Sequence, residues 1–203
     1  MKDIVICGGL LLNKDIILDK IDKEYNKVIA VDSGYNNAIL LGLKPNIIIG
    51  DLDSIKEYDN NIELIQYNPI KDDTDIKLAL DYCINKYNNN IDIICATGNR
   101  IDHLLNNISM LSYLKDKSIK ARILDEYNII STLDEYNEIN NISKYVSIIP
   151  ISDYIIYSST NLYYKANKLR VNRVNIMSIS NQAIKDKFSI KIHKGEALLI
   201  QSN

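Results

Sequence analysis

The chain has 203 residues, 46% of them hydrophobic and 25% charged, with a formal charge of -2 and a pI of about 5.7. That composition excludes a disordered, collagen-like or coiled-coil protein, and scattered lysines without a basic stripe argue against nucleic acid as the partner. The length suits one domain with a smaller companion.

The opening MKDIVICGG has too short an apolar stretch for a secretory signal, and no run is long enough to cross a bilayer. Cys7, Cys83 and Cys95 are odd in number, lack CxxC spacing and sit inside apolar runs, so they read as core thiols of a protein in a reducing cytoplasm.

Predicted strands fall at 3–7 (DIVIC), 28–31 (VIAV), 46–49 (NIII), 62–67 (IELIQY), 91–95 (IDIIC) and 119–124 (IKARIL), alternating with helical patterns. Ile76, Ala79, Leu80, Cys83, Ile84 and Tyr87 form the apolar stripe of a helix packed on a sheet, and Leu104, Leu105, Ile108 and Leu111 repeat it. Apolar residues run continuously along these strands rather than alternating. Both faces are therefore expected to be buried, which makes a mostly parallel, Rossmann-like sheet flanked by helices. From about Asp125 the rhythm changes to short β-rich pieces: YNIISTL, YVSII, YIIYSS, RVNIMSI, FSIKI and ALLI. The expected organisation is an α/β domain over 1–124 and a smaller antiparallel β-sandwich or barrel over 125–203.

Ligands of open parallel sheets bind outside the carboxyl ends of the strands, so the residues after each strand carry the functional information. Asp32-Ser33-Gly34 follows VIAV, and Asp51-Leu52-Asp53-Ser54 follows NIIIG. Lys71-Asp72-Asp73-Thr74-Asp75 precedes the first striped helix, and Thr97-Gly98-Asn99-Arg100-Ile101-Asp102-His103 follows IDIICA. Carboxylates gathered on one rim repel one another unless a cation compensates, and Mg²⁺, which takes one or two carboxylates and completes its shell with water and phosphate oxygens, is the economical answer. Arg100 offers a planar fork to a phosphate. Each residue also has an ordinary reading. Asp51 and Asp53 can cap a turn, Asp72, Asp73 and Asp75 can complement a helix dipole, and His103 can be a hydrogen-bonding helix residue. Gly8-Gly9 is a weak phosphate signal on its own, and no GxxxxGK[ST] occurs.

Taken together, LGLKPNIIIGDLDSI (41–55), KDDTDIKLAL (71–80), ATGNRIDHLLNNI (96–108) and Ser180-Asn181-Gln182 resemble the thiamine pyrophosphokinase family. The resemblance implies an α/β nucleotide-binding domain followed by a β-sandwich. It also implies transfer of diphosphate from ATP to the thiamine hydroxyl with Mg²⁺, in a homodimer whose active site lies between the α/β domain of one subunit and the β domain of the other. Carried over by position, Asp32, Asp51, Asp53 and Asp75 match the family's metal and catalytic carboxylates. Asp72 and Thr74 belong to the same DxTD motif. Arg100, Asp102 and His103 match the segment at the nucleotide and thiamine cleft, and Ser180 and Asn181 match a thiamine-binding turn. Either Asp75 or Asp53 is the candidate to accept the hydroxyl proton.

The chain departs from the family at Ser33 and Asn99, where glycines are common, and NLYYKANKL (161–169) matches only loosely. Ser33 matters if its position requires positive φ. Competing readings are a pyrophosphokinase for a hydroxymethyl-pterin, a phosphatase with Asp51 as nucleophile, and a non-catalytic thiamine- or nucleotide-binding module. The phosphatase motif usually follows a first strand and here follows the third. Every acid of the matched motifs is present, which weighs against loss of catalysis.

Overall fold

The computed structural model describes residues 1–51, 55, 57–68, 72–87, 89–98 and 100–203, so Asp53 and Asn99 lie outside the described residues. The chain divides into two compact units, Met1–Glu126 and Tyr127–Asn203.

In the first unit the elements run β1 (Lys2–Ile6), α1 (Lys14–Lys20), β2 (Tyr25–Val31), α2 (Gly34–Leu41), β3 (Ile47–Gly50), β4 (Glu63–Gln66), α3 (Asp75–Lys86), β5 (Asn90–Ile94), α4 (Ile101–Asp116) and β6 (Ala121–Leu124). All pairings among these strands are parallel. Their order is β4-β3-β2-β1-β5-β6. The continuous apolar runs have the expected cause: all four residues of β3 and the last four of β1, β2 and β5 are buried, as a sheet covered on both faces requires. The helices supply that cover. Ile76, Ala79, Leu80 and Cys83 form the buried stripe of α3, and the thiols of Cys7, Cys83 and Cys95 are free and buried.

Two acids interrupt the apolar strands. Asp92 on β5 is 1% exposed and receives a bidentate pair from Arg122 on β6 at 2.7 and 2.8 Å. Asp3 on β1 accepts hydrogen bonds from the amides of Asn26 and Asn89, and burial pushes its carboxyl above the usual range against those bonds.

The second unit contains β7 (Asn128–Thr132), β8 (Tyr136–Asn140), β9 (Tyr145–Pro150), β10 (Tyr154–Thr160), β11 (Leu169–Asn172), β12 (Lys187–Lys194) and β13 (Ala197–Ser202). β13 pairs antiparallel with β7 and β9, and a four-stranded antiparallel sheet runs β11-β10-β12-β8. Burial alternates along β9, β10 and β12, the mark of strands with one face in a core. That core joins Val146, Ile148 and Leu199 from one sheet to Ile155, Tyr157, Phe188 and Ile190 from the other, giving a sandwich.

The α/β class with a following β-sandwich is as expected. One β segment is not. RVNIMSI (173–179) forms no strand; the strand lies just before it, in β11, and Val174, Met177 and Ile179 are exposed. β8 forms where the residues carry no strand signal, because its partner β12 aligns it.

Candidate active site

In the strand order, the chain works outward from β1 to β4 and then returns to add β5 on the opposite side of β1. The loops after β1 and β5 therefore diverge and leave a crevice at the carboxyl edge, the place where doubly wound sheets bind ligands. A cavity of about 770 Å³ occupies it, lined by residues after β1 (Cys7, Gly8, Gly9, Leu10), after β2 (Asp32, Ser33), at the start of α3 (Thr74, Asp75) and from β5 into α4 (Cys95, Thr97, Gly98, Arg100, Asp102, His103, Asn106, Asn107). Six of the site residues expected from sequence thus line one cavity: Asp32, Thr74, Asp75, Arg100, Asp102 and His103.

Asp32 is the most constrained of them. Its φ is 45°, uncommon for a residue with a side chain. The tight turn it makes lets Tyr35 N–H donate to its carbonyl at 3.0 Å. Its Oδ1 accepts from the backbone N–H of Asp51 at 3.1 Å, so the two acids are joined although Asp51 does not line the cavity. Gly50 makes this possible: a Cβ there would lie 1.6 Å from Asp32 Oδ1. Positive φ falls on Asp32 and not on Ser33, whose φ is -56°, so serine meets no backbone penalty at that turn. Ser33 instead packs its hydroxyl into the space Gly8 leaves open, 1.9 Å from where a Cβ would stand.

Thr74 is the N-cap of α3 and Asp75 its first residue, where a carboxylate meets the positive end of the helix dipole. The Thr74 hydroxyl accepts a bond from Asn106 of α4 at 3.4 Å. Asp72 is exposed and stands outside the cavity lining. Arg100, the N-cap of α4, forms a two-pronged pair with Asp102, Nε to Oδ1 at 3.2 Å and a terminal nitrogen to Oδ2 at 2.5 Å. That hydrogen-bonded guanidinium holds the Asp102 carboxyl down at about 2. The pair is 68% and 64% exposed, so its ligand-facing atoms are open to exchange partners.

The Gly8-Gly9 turn proves to be a packing device. Gly9 N–H donates to Cys95 O at 2.8 Å and Leu10 N–H to Thr97 O at 2.9 Å, so these amides serve the adjacent strand end. A Cβ on Gly9 would lie 2.3 Å from both the Cys95 and Thr97 carbonyls. The sequence reading missed the side chains that tie this crevice together. Asn37 of α2 donates to the carbonyls of Cys7 and Gly9, each at 2.9 Å, and buried Asn107 of α4 donates to Ala96 O at 2.7 Å. Asn107 had a signal, a polar residue in the buried phase shared with Leu111 and Leu114.

The donors on this rim are carboxylate oxygens, the hard ligands that suit Mg²⁺. Among the described residues no three His, Cys, Asp or Glu side chains converge in a closed cage. Mg²⁺ needs only one or two, so the donor set fits.

In the second unit Ser180 has φ 56° and its N–H donates to Ser147 Oγ at 3.0 Å. Asn181 is 5% exposed and its side chain is engaged within the unit: Oδ1 accepts from Tyr164 and Gln182 N–H, and Nδ2 donates to Tyr164 O at 2.8 Å. The exposed rings of Tyr163 and Tyr164 stand edge to face, 5.0 Å apart. His193 is an exposed strand residue bonded to Ser158 Oγ at 2.8 Å.

A family model described as thiamin pyrophosphokinase, catalytic domain, matches residues 18–123. The chain is 33% identical over its whole length to a thiamine pyrophosphokinase of Bacillus subtilis (strain 168), of which it covers 99%. Among solved structures, a thiamine pyrophosphokinase from Bacillus subtilis superposes with a TM-score of 0.89 at 28% identity, all of this chain matching 99% of that one. A thiamin pyrophosphokinase from Geobacillus thermodenitrificans gives 0.87 at 24% identity, over 100% and 98% of the two chains. The chain belongs to the thiamine pyrophosphokinase family, diphosphotransferases that convert ATP and thiamine to AMP and thiamine diphosphate.

Proposed function

We propose that diphosphate transfer takes place on the acidic rim of the first unit. Met1–Glu126 would hold ATP, and Tyr127–Asn203 would supply thiamine contacts. The observation that carries this reading is the gathering of Asp32, Thr74, Asp75, Arg100, Asp102 and His103 around one cavity at the reversal of strand order. Asp32, Asp51 and Asp75 would hold Mg²⁺, with Asp53 of the same DxD motif. When bound, the ion neutralises the phosphate oxygens that gain charge during transfer.

The chain's own residues do the rest by position and charge. Little covalent assistance is needed in phosphoryl transfer; alignment and charge neutralisation dominate. Arg100 leaves Asp102 for a phosphate, exchanging one carboxylate partner for another anion of matching geometry. Asp102, released, presents a carboxylate to the cationic thiamine, and His103 and Thr74 bound the same space. Asp75, at the helix start and on the cavity wall, accepts the proton of the attacking hydroxyl, with Asp53 the alternative in the DxD motif; Asp72 tunes the charge of the loop from outside.

Ser180 and Asn181 contribute to thiamine binding from the second unit. With its amide already bonded to Tyr164, Asn181 acts by holding that segment in place. The thiamine site is completed by the partner subunit of a homodimer. Three buried free cysteines suit a reducing cytoplasm, and among the described residues no helix is long and apolar enough to cross a membrane.

Mixing two inactive variants tests the shared site. Asp75→Asn and Ser180→Trp proteins, each inactive alone, regain thiamine-dependent AMP release when unfolded and refolded together, because a mixed dimer contains one unaltered site. Persistent inactivity, with mixed dimers shown by mass spectrometry, would place each site within a single subunit.

A further inference from the structure

We infer that Glu126 is a positioning residue for the substrate cavity: its carboxylate fixes the turn between β1 and α1 whose first half forms one cavity wall. The inference rests on reading that cavity as the substrate site.

The turn has little apolar burial to hold it. Leu10 is 45% exposed and Leu12 59%, so hydrogen bonds must fix the path of the chain. At the cavity end they come from the carbonyls of Cys95 and Thr97 and from Asn37. At the far end they come from Glu126, 114 residues away in sequence, whose Oε1 accepts from Leu12 N–H at 2.6 Å and Asn13 N–H at 3.0 Å. Asn13 is also the N-cap of α1, its side chain accepting from Asp15 and Ile16 N–H, so the same carboxylate sets where that helix begins.

Glu126 is itself held. It is 8% exposed, and the Lys20 ammonium donates to the carbonyls of Asp125 and Glu126 at 2.7 and 2.9 Å. A buried carboxylate that accepts two backbone amides is an anchor, since truncation would leave both donors without partners. At the other end the Gly9 and Leu10 amides are bonded to the Cys95 and Thr97 carbonyls, so the stretch from Leu10 to Asn13 is the part left free when Glu126 is removed. Loss of the anchor therefore moves the cavity wall at Leu10 more than it moves the strands.

The test compares Glu126→Ala, Glu126→Gln and the core control Val28→Ala in the full-length protein. KM for ATP, KM for thiamine and kcat are measured separately, with melting temperature. Wild-type turnover first establishes the activity, so failure of the functional reading is distinguished from failure of this inference. Glu126→Ala raises at least one KM by roughly tenfold, the worth of a lost charge-assisted bond, with kcat within about twofold. Glu126→Gln, which keeps an oxygen acceptor, restores wild-type KM, and Val28→Ala lowers the melting temperature with both KM values unchanged. If Glu126→Ala does not fold, Glu126→Asp takes its place, because the shortened side chain withdraws from the amides, and hydrogen exchange at Leu12 and Asn13 must accelerate with the KM change. The inference is overturned if both KM values stay at wild type while stability falls, or if Glu126→Gln is as impaired as Glu126→Ala.

Discussion

Asp32 occupies a backbone conformation, φ 45°, that costs a residue with a side chain on the order of 1–2 kcal/mol. The turn bond, the Asp51 amide and the empty space at Gly50 hold it there, so the strain is local to the acid that faces the cavity. Gly50→Ala should displace the Asp32 carboxylate and lower kcat by roughly 100-fold, the usual cost of an ångström of misplacement. Gly42 provides the contrast. It closes α2 at φ 71°, and a Cβ placed on it would meet nothing within 4 Å, so Gly42→Ala should cost about 1 kcal/mol of stability and leave kcat alone. Steady-state kinetics with chemical denaturation of both variants checks the pair.

Arg100 and Asp102 make a second residue-scale prediction. The folded carboxyl sits at about 2, below its ordinary value of 3.8, so the ion pair is complete above the ordinary value and is lost only as pH falls toward 2. Breaks in the pH–rate profile between pH 5 and 8 will therefore not arise from Asp102. Arg100→Ala should return the Asp102 carboxyl toward 3.8, which NMR titration of that side chain reads directly; a value still near 2 would assign the shift to another group.

At the scale of elements, β5 and β6 are tied by the pair between buried Asp92 and half-buried Arg122 as well as by their ladder. Asp92→Ala should destabilise the chain by about 1–3 kcal/mol, since it removes both charge-assisted bonds from Arg122, whose side chain is 26% exposed and keeps Lys20 O at 3.4 Å and Asp22 at 3.8 Å. Urea unfolding measures it, and a loss under about 0.5 kcal/mol would show that water, Asp22 and the Lys20 carbonyl replace the lost carboxylate. The elements also show what sequence reveals. Ile47, Ile48 and Ile49 point to a strand buried on both faces, because a β-branched run that does not alternate leaves no side for water. Val174, Met177 and Ile179 misled, since their apolar side chains lie exposed in a loop. β8, with Ile139 its one aliphatic residue, carries no pattern and is set by pairing with β12. At the site, acids and Arg100 were legible from their places after strands. Asn37 and Glu126 were not, because their partners lie 28 to 114 residues away and only the folded chain brings them together.

Over the whole molecule, topology explains why one rim bears the chemistry. Reversal of strand order between β1 and β5 opens the crevice, the segments after β1, β2 and β5 reach it, and the helices that start there bring Asp75, Arg100 and Asp102 to its wall. The second unit is built on the opposite plan, alternating strands around a core of its own, and has its own polar turn at Ser180. Diphosphate transfer on the acidic rim is the proposal on which the other roles depend. Its most direct test follows AMP and thiamine diphosphate together, from ATP, Mg²⁺ and thiamine, for the wild-type protein and for Asp32→Asn and Asp75→Asn proteins shown to be folded by circular dichroism. The wild type should release both products equally and only with thiamine, and each variant should lose roughly 100-fold or more. Undiminished turnover by both folded variants would contradict it.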